Sequence, residues 1–139
     1  KSLTIIKPIL LENRINIDVN IQIKNIINIP VGLMMQVILN IVKNAIDVLN
    51  EKKVNNPIIA IHVFEDAKNS IIEIQDNGGG IKKEILAKIF QKNFTTKNTQ
   101  EGTGIGLHMS KKIIETKVNG SLVATNRNNK AVFTITIPK

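Results

Sequence analysis

Three polar constellations hold the residues with chemistry to offer. Asn40 and Asn44 stand four positions apart with Lys43 beside them, Asp76 precedes Asn77-Gly78-Gly79-Gly80, and Gly102-Thr103-Gly104-Ile105-Gly106-Leu107 follows a polar stretch. On a helix, a spacing of four stacks the two amides on one face, with Gln36 and Asp47 on the same side. Their carbonyl oxygens suit a hard cation such as Mg²⁺ carried by phosphates. Lys43 either reaches a phosphate or sits in solvent. A carboxylate beside glycines can accept a hydrogen bond from a purine amino group, because bare backbone lets a flat ligand come close. Backbone N–H groups at a glycine-rich helix start favour anions. Taken singly, Asp76 reads equally as a turn-capping residue, and the two Asn as exposed amides in an Asn-rich chain. In this order, with a polar segment between the glycine runs, they outline a nucleotide site closed by a movable flap.

Hydrophobic periodicity supplies the elements that must position these groups. A short helix is expected over residues 4–13. Ile15, Ile17, Val19 and Ile21 then alternate with polar residues as a strand with one wet face. Pro30 suits the first turn of a helix running to Glu51, in which Leu33, Val37, Ile41, Ala45 and Val48 mark an apolar stripe. Strands are expected over 58–64 and 70–75, a helix over 82–90, a loop over 91–102 and a helix over 104–118. Two final strands, 122–126 and 131–137, flank the turn Arg127-Asn128-Asn129. Ile72 and Ile74 share one strand face, so alternation puts Asp76 on the buried side at the strand's end. The sum is an α/β sandwich, with antiparallel or mixed strands open to water on one face and helices on the other.

The familiar phosphate motifs do not fit. A dinucleotide fingerprint needs a third glycine three positions after Gly104, where Leu107 stands, and a strand before it instead of a polar loop. No glycine here is followed by Lys, which removes the P-loop, and the protein-kinase His-Arg-Asp and Asp-Phe-Gly triplets are missing.

Composition narrows the rest. The 139 residues fit one domain, 42% hydrophobic and 22% charged, as in ordinary globular proteins. No cysteine is present, which excludes disulfides and thiolate metal sites and fits a reducing, cytoplasmic compartment. Pro, Lys and Asn interrupt the longest apolar runs, and no membrane contact is expected of this domain. The net charge of +8 raises nucleic-acid binding, but with no Trp or Tyr and four Phe the chain lacks stacking platforms. A solvated Lys-rich surface, helped by attraction to a polyphosphate, accounts for the charge instead.

Together these residues resemble the catalytic and ATP-binding domain of bacterial sensor histidine kinases. That domain shares a superfamily with DNA gyrase B, Hsp90 and the mismatch-repair ATPases. Residues 36–45 are similar to its N box, 76–81 to its first glycine box and 102–107 to its second. Phe90 through Phe94-Thr95-Thr96-Lys97 resembles its F box, in the variant of nitrogen-regulation-type kinases, and 133–138 its closing strand. The resemblance implies a Bergerat-type fold: a two-layer α/β sandwich, its mixed and mostly antiparallel sheet packed on about three helices. It implies a single catalytic domain over 1–139, with an ATP lid at about 91–103 and the acceptor hairpin and sensor regions elsewhere.

The same resemblance assigns roles. Asp76 would hydrogen-bond the adenine amino group. Asn44 would coordinate Mg²⁺, with Asn40 supporting metal and phosphates. Gly78 and Gly80 would shape the adenine pocket beside Ile81. Gly102, Gly104 and Gly106, in one box with Thr103, Ile105 and Leu107, would hinge the lid and meet the phosphates. Phe94 would anchor the lid, to which Thr95, Thr96 and Lys97 belong. Asp47 stands where many relatives carry Lys or Arg and receives no phosphate contact. Val118-Asn119-Gly120 replaces the usual pair of glycines.

Members of the superfamily that hydrolyse ATP or phosphorylate serine resemble one another in a Glu base where this chain has Asn40. An amide cannot take a proton at neutral pH, which favours histidine as the acceptor. In the family that histidine precedes an acidic residue on a dimerising hairpin, but here His62 precedes Val63 and His108 precedes Met109. His62 is read as a surface strand residue and His108 as a helix residue near the nucleotide. The expected activity is transfer of the γ-phosphate of Mg-ATP to a histidine of the hairpin, with a response regulator engaged through the full-length kinase and the isolated domain monomeric. A self-contained ATPase or serine kinase of the superfamily, or a catalytically decayed nucleotide-binding module, are the alternatives.

Overall fold

The computed structural model describes residues 14–22, 30–91 and 106–139. The helix expected over 4–13 and most of the expected lid lie outside the described residues. The elements are β1 (Asn16–Gln22), α1 (Val31–Glu51), β2 (Ile58–Glu65), β3 (Asn69–Asp76), α2 (Lys83–Leu86), α3 (Gly106–Lys117), β4 (Ser121–Arg127) and β5 (Lys130–Pro138).

The five strands form one sheet in the order β1-β2-β3-β5-β4. β1 runs parallel to β2, and α1 provides the crossover between them. All other pairs are antiparallel. Helices cover one face, giving the two-layer mixed sandwich that the periodicity predicts. The β4–β5 hairpin closes through Asn128 and Asn129, both at positive φ (52° and 63°). Two such residues between paired strands match the right-handed strand twist, and Asn tolerates this backbone better than most side chains.

The core lies between α1, α3 and the sheet. The buried face of α1 is wider than the single stripe expected: Met34, Ile38, Val42, Ile46 and Leu49 join Val37, Ile41 and Ala45. Leu33 and Val48 flank it, half-buried. By length and composition α1 could cross a membrane, a property the run-by-run reading of the sequence did not register. Here its apolar side packs on Ile59, Ile74, Phe133 and Ile135, each almost wholly buried. Truncating a side chain such as Ile41 in this layer costs about 2–5 kcal/mol.

The strand and long-helix boundaries fall within a residue or two of expectation, but α2 is far shorter than the helix expected over 82–90. Past Leu86 the backbone tightens to three-residue turns: Lys88 N–H donates to the Ile85 carbonyl (2.9 Å) and Gln91 N–H to that of Lys88 (2.9 Å). That tightening accompanies the edge-on packing of Phe90 against Phe133, ring centroids 6.2 Å apart. On the open face of the sheet, Arg127 makes a two-pronged bond to Glu73 (3.1 and 3.0 Å). The Arg127 bond holds the Glu73 carboxyl below its ordinary range. His62 lies on the open face opposite Ile59 and Ile61, as expected, but is less exposed than a surface residue. It is half-buried against Phe64 (4.8 Å), and its Nε2 is shielded with no hydrogen-bond partner among the described residues.

The departure at Val118-Asn119-Gly120 has a packing reason. Asn119 takes the left-handed turn after α3 (φ 54°), and Gly120 N–H closes the helix end on the Ile114 carbonyl (2.9 Å). A Cβ on Gly120 would overlap the Thr136 carbonyl oxygen and press on Ile114. Gly120→Ala is therefore expected to lower stability by about 2–3 kcal/mol, read as a reduced denaturant midpoint.

Candidate functional site

The site begins where β3 ends. Alternation along β3 buries Ser70, Ile72, Ile74 and Asp76 in turn, so Asp76 faces the helices as expected, only 5% exposed. Its Oδ1 accepts the Gly78 N–H at 2.9 Å. Among the described residues Oδ2 has no hydrogen-bond partner. Burial pushes the carboxyl above its ordinary value, against the opposing pulls of the Gly78 N–H and the Lys52 charge.

The glycines behind Asp76 are needed for geometry. Gly79 and Gly80 both have positive φ, 92° and 85°. A Cβ on Gly78 would come within 2.9 Å of Asp76 Oδ1 and 3.0 Å of Val48 Cγ1. One on Gly80 would meet Asn126 Oδ1 at 2.9 Å. That amide grips the next residue from both sides: Ile81 N–H donates to Asn126 Oδ1 and Asn126 Nδ2 donates to the Ile81 carbonyl, each at 2.7 Å. Asn77 ties the other flank, accepting the Ile58 N–H (2.9 Å) and donating to the Asn56 carbonyl (3.0 Å). Strand register puts Asp76, Ala131 and Asn126 in one row across β3, β5 and β4. The small Ala131 therefore sits between the two polar groups.

Helix α1 carries the second group. Asn40 and Asn44 are half-buried on its rim, while Gln36, Lys43 and Asp47 are exposed. Asn40 Nδ2 donates to Ser110 Oγ of α3 (3.1 Å), and Ser110 is wholly buried. That bond leaves the Asn40 carbonyl oxygen on the side of Gly106, 3.9 Å from where a Gly106 Cβ would stand. The Asn44 amide has no hydrogen bond among the described residues. Residues 40, 44, 48 and 52 form one i,i+4 ridge along α1 and its cap. Asn40 touches the start of α3, Val48 packs on Gly78, and Lys52 Nζ donates to the Gly78 carbonyl (2.7 Å). The ridge is about 18 Å long.

Beyond Gln91 the chain leaves the described residues and returns at Gly106. Phe94, Thr95, Thr96, Lys97, Gly102, Thr103, Gly104 and Ile105 lie outside them. The two flanks are joined: His108 Nδ1 sits 3.2 Å from the Phe90 carbonyl oxygen, and Lys111 Nζ lies 5.2 Å from the centre of the Phe90 ring. Leu107 packs on the core, half-buried, and Gly106 is exposed.

Sequence reasoning missed Lys52, Asn126 and Ser110. Asn126 had a signal, since it shares the inward strand face with Leu122 and Ala124. A polar group on the inward face at a strand's end is the same cue that singles out Asp76, although Asn126 itself is exposed. Lys52 lies one helical turn beyond Val48, but its partner is distant in sequence. Ser110 shows no cue beyond its position on α3.

Residues 30–139 match the family described as histidine kinase-, DNA gyrase B- and HSP90-like ATPases. The chain belongs to this family of ATPases. A probable C4-dicarboxylate sensor kinase of Halalkalibacterium halodurans is 32% identical over 71% of the chain and 18% of its own length. Sporulation kinase E of Bacillus subtilis is 34% identical over 70% of the chain and 13% of its own length. The nucleotide-free catalytic domain of histidine kinase ThkA superposes with a TM-score of 0.84 at 29% identity, over 99% of this chain and 88% of that one. ThkA in complex with the response regulator protein TrrA aligns with a TM-score of 0.80 at 25% identity, over 99% and 38%. The chain thus spans less than a fifth of these curated relatives and nearly all of a histidine kinase catalytic domain. These relatives and structural neighbours are sensor kinases and a histidine kinase catalytic domain, and membership of the ATPase family implies use of ATP.

The Asp76 environment predicts a stability signature. A carboxyl whose folded pKa is raised above its ordinary value of 3.8 favours the fold while protonated. That contribution is complete below pH 3.8 and is lost as pH rises through the raised folded value. Asp76→Asn should therefore melt above the wild type at pH 7, with the gap narrowing at acid pH, measured by circular dichroism.

Proposed function

We propose that this chain is the nucleotide-binding half of a sensor histidine kinase, which binds Mg-ATP and presents its γ-phosphate to a histidine on a hairpin outside the chain. The observation that carries the reading is the buried Asp76 carboxylate, with one oxygen committed to Gly78 and the other without a hydrogen-bond partner among the described residues. A purine amino group is the donor that such an oxygen lacks.

The remaining roles follow the α1 ridge. Base recognition belongs at its C-terminal end, with Asp76, Gly78, Gly80 and Ile81. Phosphates belong at the other end, where Asn40 faces the start of α3 and Gly106. Asn44, whose amide oxygen is a hard donor, would hold Mg²⁺, with Asn40 supporting it and Lys43 adding positive charge nearby. The metal would offset phosphate charge during transfer. The protein's own part is positioning and charge compensation, as phosphoryl transfer requires. Asn40 offers no base for water, in keeping with a histidine acceptor. Phe94, Thr95, Thr96 and Lys97 are assigned to a lid at about 91–103, and the glycine run 102–107 to its hinge and to the phosphates.

We further read residues 1–139 as one catalytic domain, monomeric by itself and cytoplasmic. The response regulator would be met through the full-length kinase, as the ThkA complex with TrrA suggests by likeness. Calorimetric titration with Mg-ATP tests the core of this reading. The wild type should bind, and Asp76→Asn should weaken binding about 10- to 100-fold. A wild type that binds no nucleotide overturns the reading. Steady ATP turnover by the chain alone would replace the histidine-kinase assignment with that of a self-contained ATPase.

A further inference from the structure

Gly78 is held from both sides by groups distant from each other. Its N–H goes to Asp76 Oδ1 at 2.9 Å and its carbonyl accepts Lys52 Nζ at 2.7 Å. Nζ also lies 3.7 Å from where a Gly79 Cβ would stand, so the ammonium arches over the glycine turn. Lys52 is the C-cap of α1, where unpaired helix carbonyls favour a cation. Its backbone N–H donates to the Val48 carbonyl (3.0 Å), and Val48 packs on Gly78. The side chain is thus launched from a fixed helix end onto a turn whose glycines at φ 92° and 85° could otherwise take many shapes.

We propose that Lys52 is a positioning residue of the base pocket, gripping the Gly78 carbonyl so that the glycine turn holds the Asp76 carboxylate in place for the incoming base. The bond is charge-assisted and short, the kind that fixes a peptide plane most firmly. Lys52 acts through Gly78 and Asp76 and need not touch the ligand. It is also the charge that acts on Asp76 among the described residues. The positions facing Asp76 from β2 and β5, Ile59 and Ala131, are uncharged, as are Val48 and Leu49 of α1 beside Gly78. Losing the ammonium should therefore both loosen the turn and make the carboxylate harder to keep ionised.

The pocket role rests on the Mg-ATP reading, and the experiment separates the two. Asp76 is titrated by ¹³C NMR of its carboxyl carbon in nucleotide-free wild type, Lys52→Met and Lys52→Arg, with Gly78 amide exchange recorded alongside. Mg-ATP affinity is then measured across pH on the same three proteins. Lys52→Met should raise the Asp76 midpoint, speed Gly78 exchange and weaken Mg-ATP about fivefold or more at neutral pH. The acid loss of binding should move to higher pH, and Lys52→Arg should restore all of these. An unchanged midpoint and unchanged exchange in Lys52→Met overturn the grip. A changed midpoint with undiminished Mg-ATP affinity overturns the pocket role. If the wild type binds no nucleotide yet Lys52→Met still moves the midpoint and the exchange, the nucleotide reading fails while the grip on the turn is upheld.

Discussion

A carboxylate kept from water at the end of β3 sets the terms for its surroundings. Asp76 resists ionisation because it is buried, and one N–H and one ammonium only partly offset that burial. Everything near it is arranged around this tension. The glycines allow backbone to approach where a Cβ would strike Asp76, Val48 or Asn126. Asn126 and Asn77 pin the two ends of the turn with side-chain amides in place of strand pairing. Such a site is destabilising in isolation and is tolerated because the α1–sheet core beneath it is almost free of polar atoms.

Helix α1 does two jobs that share one register. Its wide apolar side fixes rotation against the sheet, and that rotation sets where Asn40, Asn44 and Lys52 fall on the rim. Asn40 then reaches across to Ser110, so the rim of α1 and the start of α3 are joined by a part-buried polar contact. The closed bond between His108 and the Phe90 carbonyl ties the same helix to the other flank of the segment expected to form the lid. Positions on both helices and on both flanks are thereby referred to a common core.

Much of this was legible in the residues. Period-two alternation located all five strands and put Asp76 inside, and Asn128-Asn129 marked the hairpin. Helical spacing located α1 and α3, although it drew the buried face of α1 too narrow. The failures share a cause, which is that local pattern does not see distant partners. The packing of Phe90 on Phe133 accompanies the early end of α2. The neighbours of His62 shield one of its nitrogens despite its place on the open sheet face. The grips of Lys52 and Asn126 join residues far apart in sequence. The order of the motifs made the site recognisable through family resemblance, whereas spacing alone left each motif with a plain alternative.

The strand order carries one more consequence. β5 is made after β4 yet enters the sheet between β4 and β3. As the chain leaves the ribosome, β3 therefore keeps an open hydrogen-bonding edge through the whole synthesis of α2, α3 and β4. Asp76 and Asn126 have no common neighbour until Ala131 arrives between them. The two sides of the proposed base pocket thus come together at one late step of vectorial folding. Until that step, the exposed edge of β3 is the part of the nascent chain most open to wrong pairing.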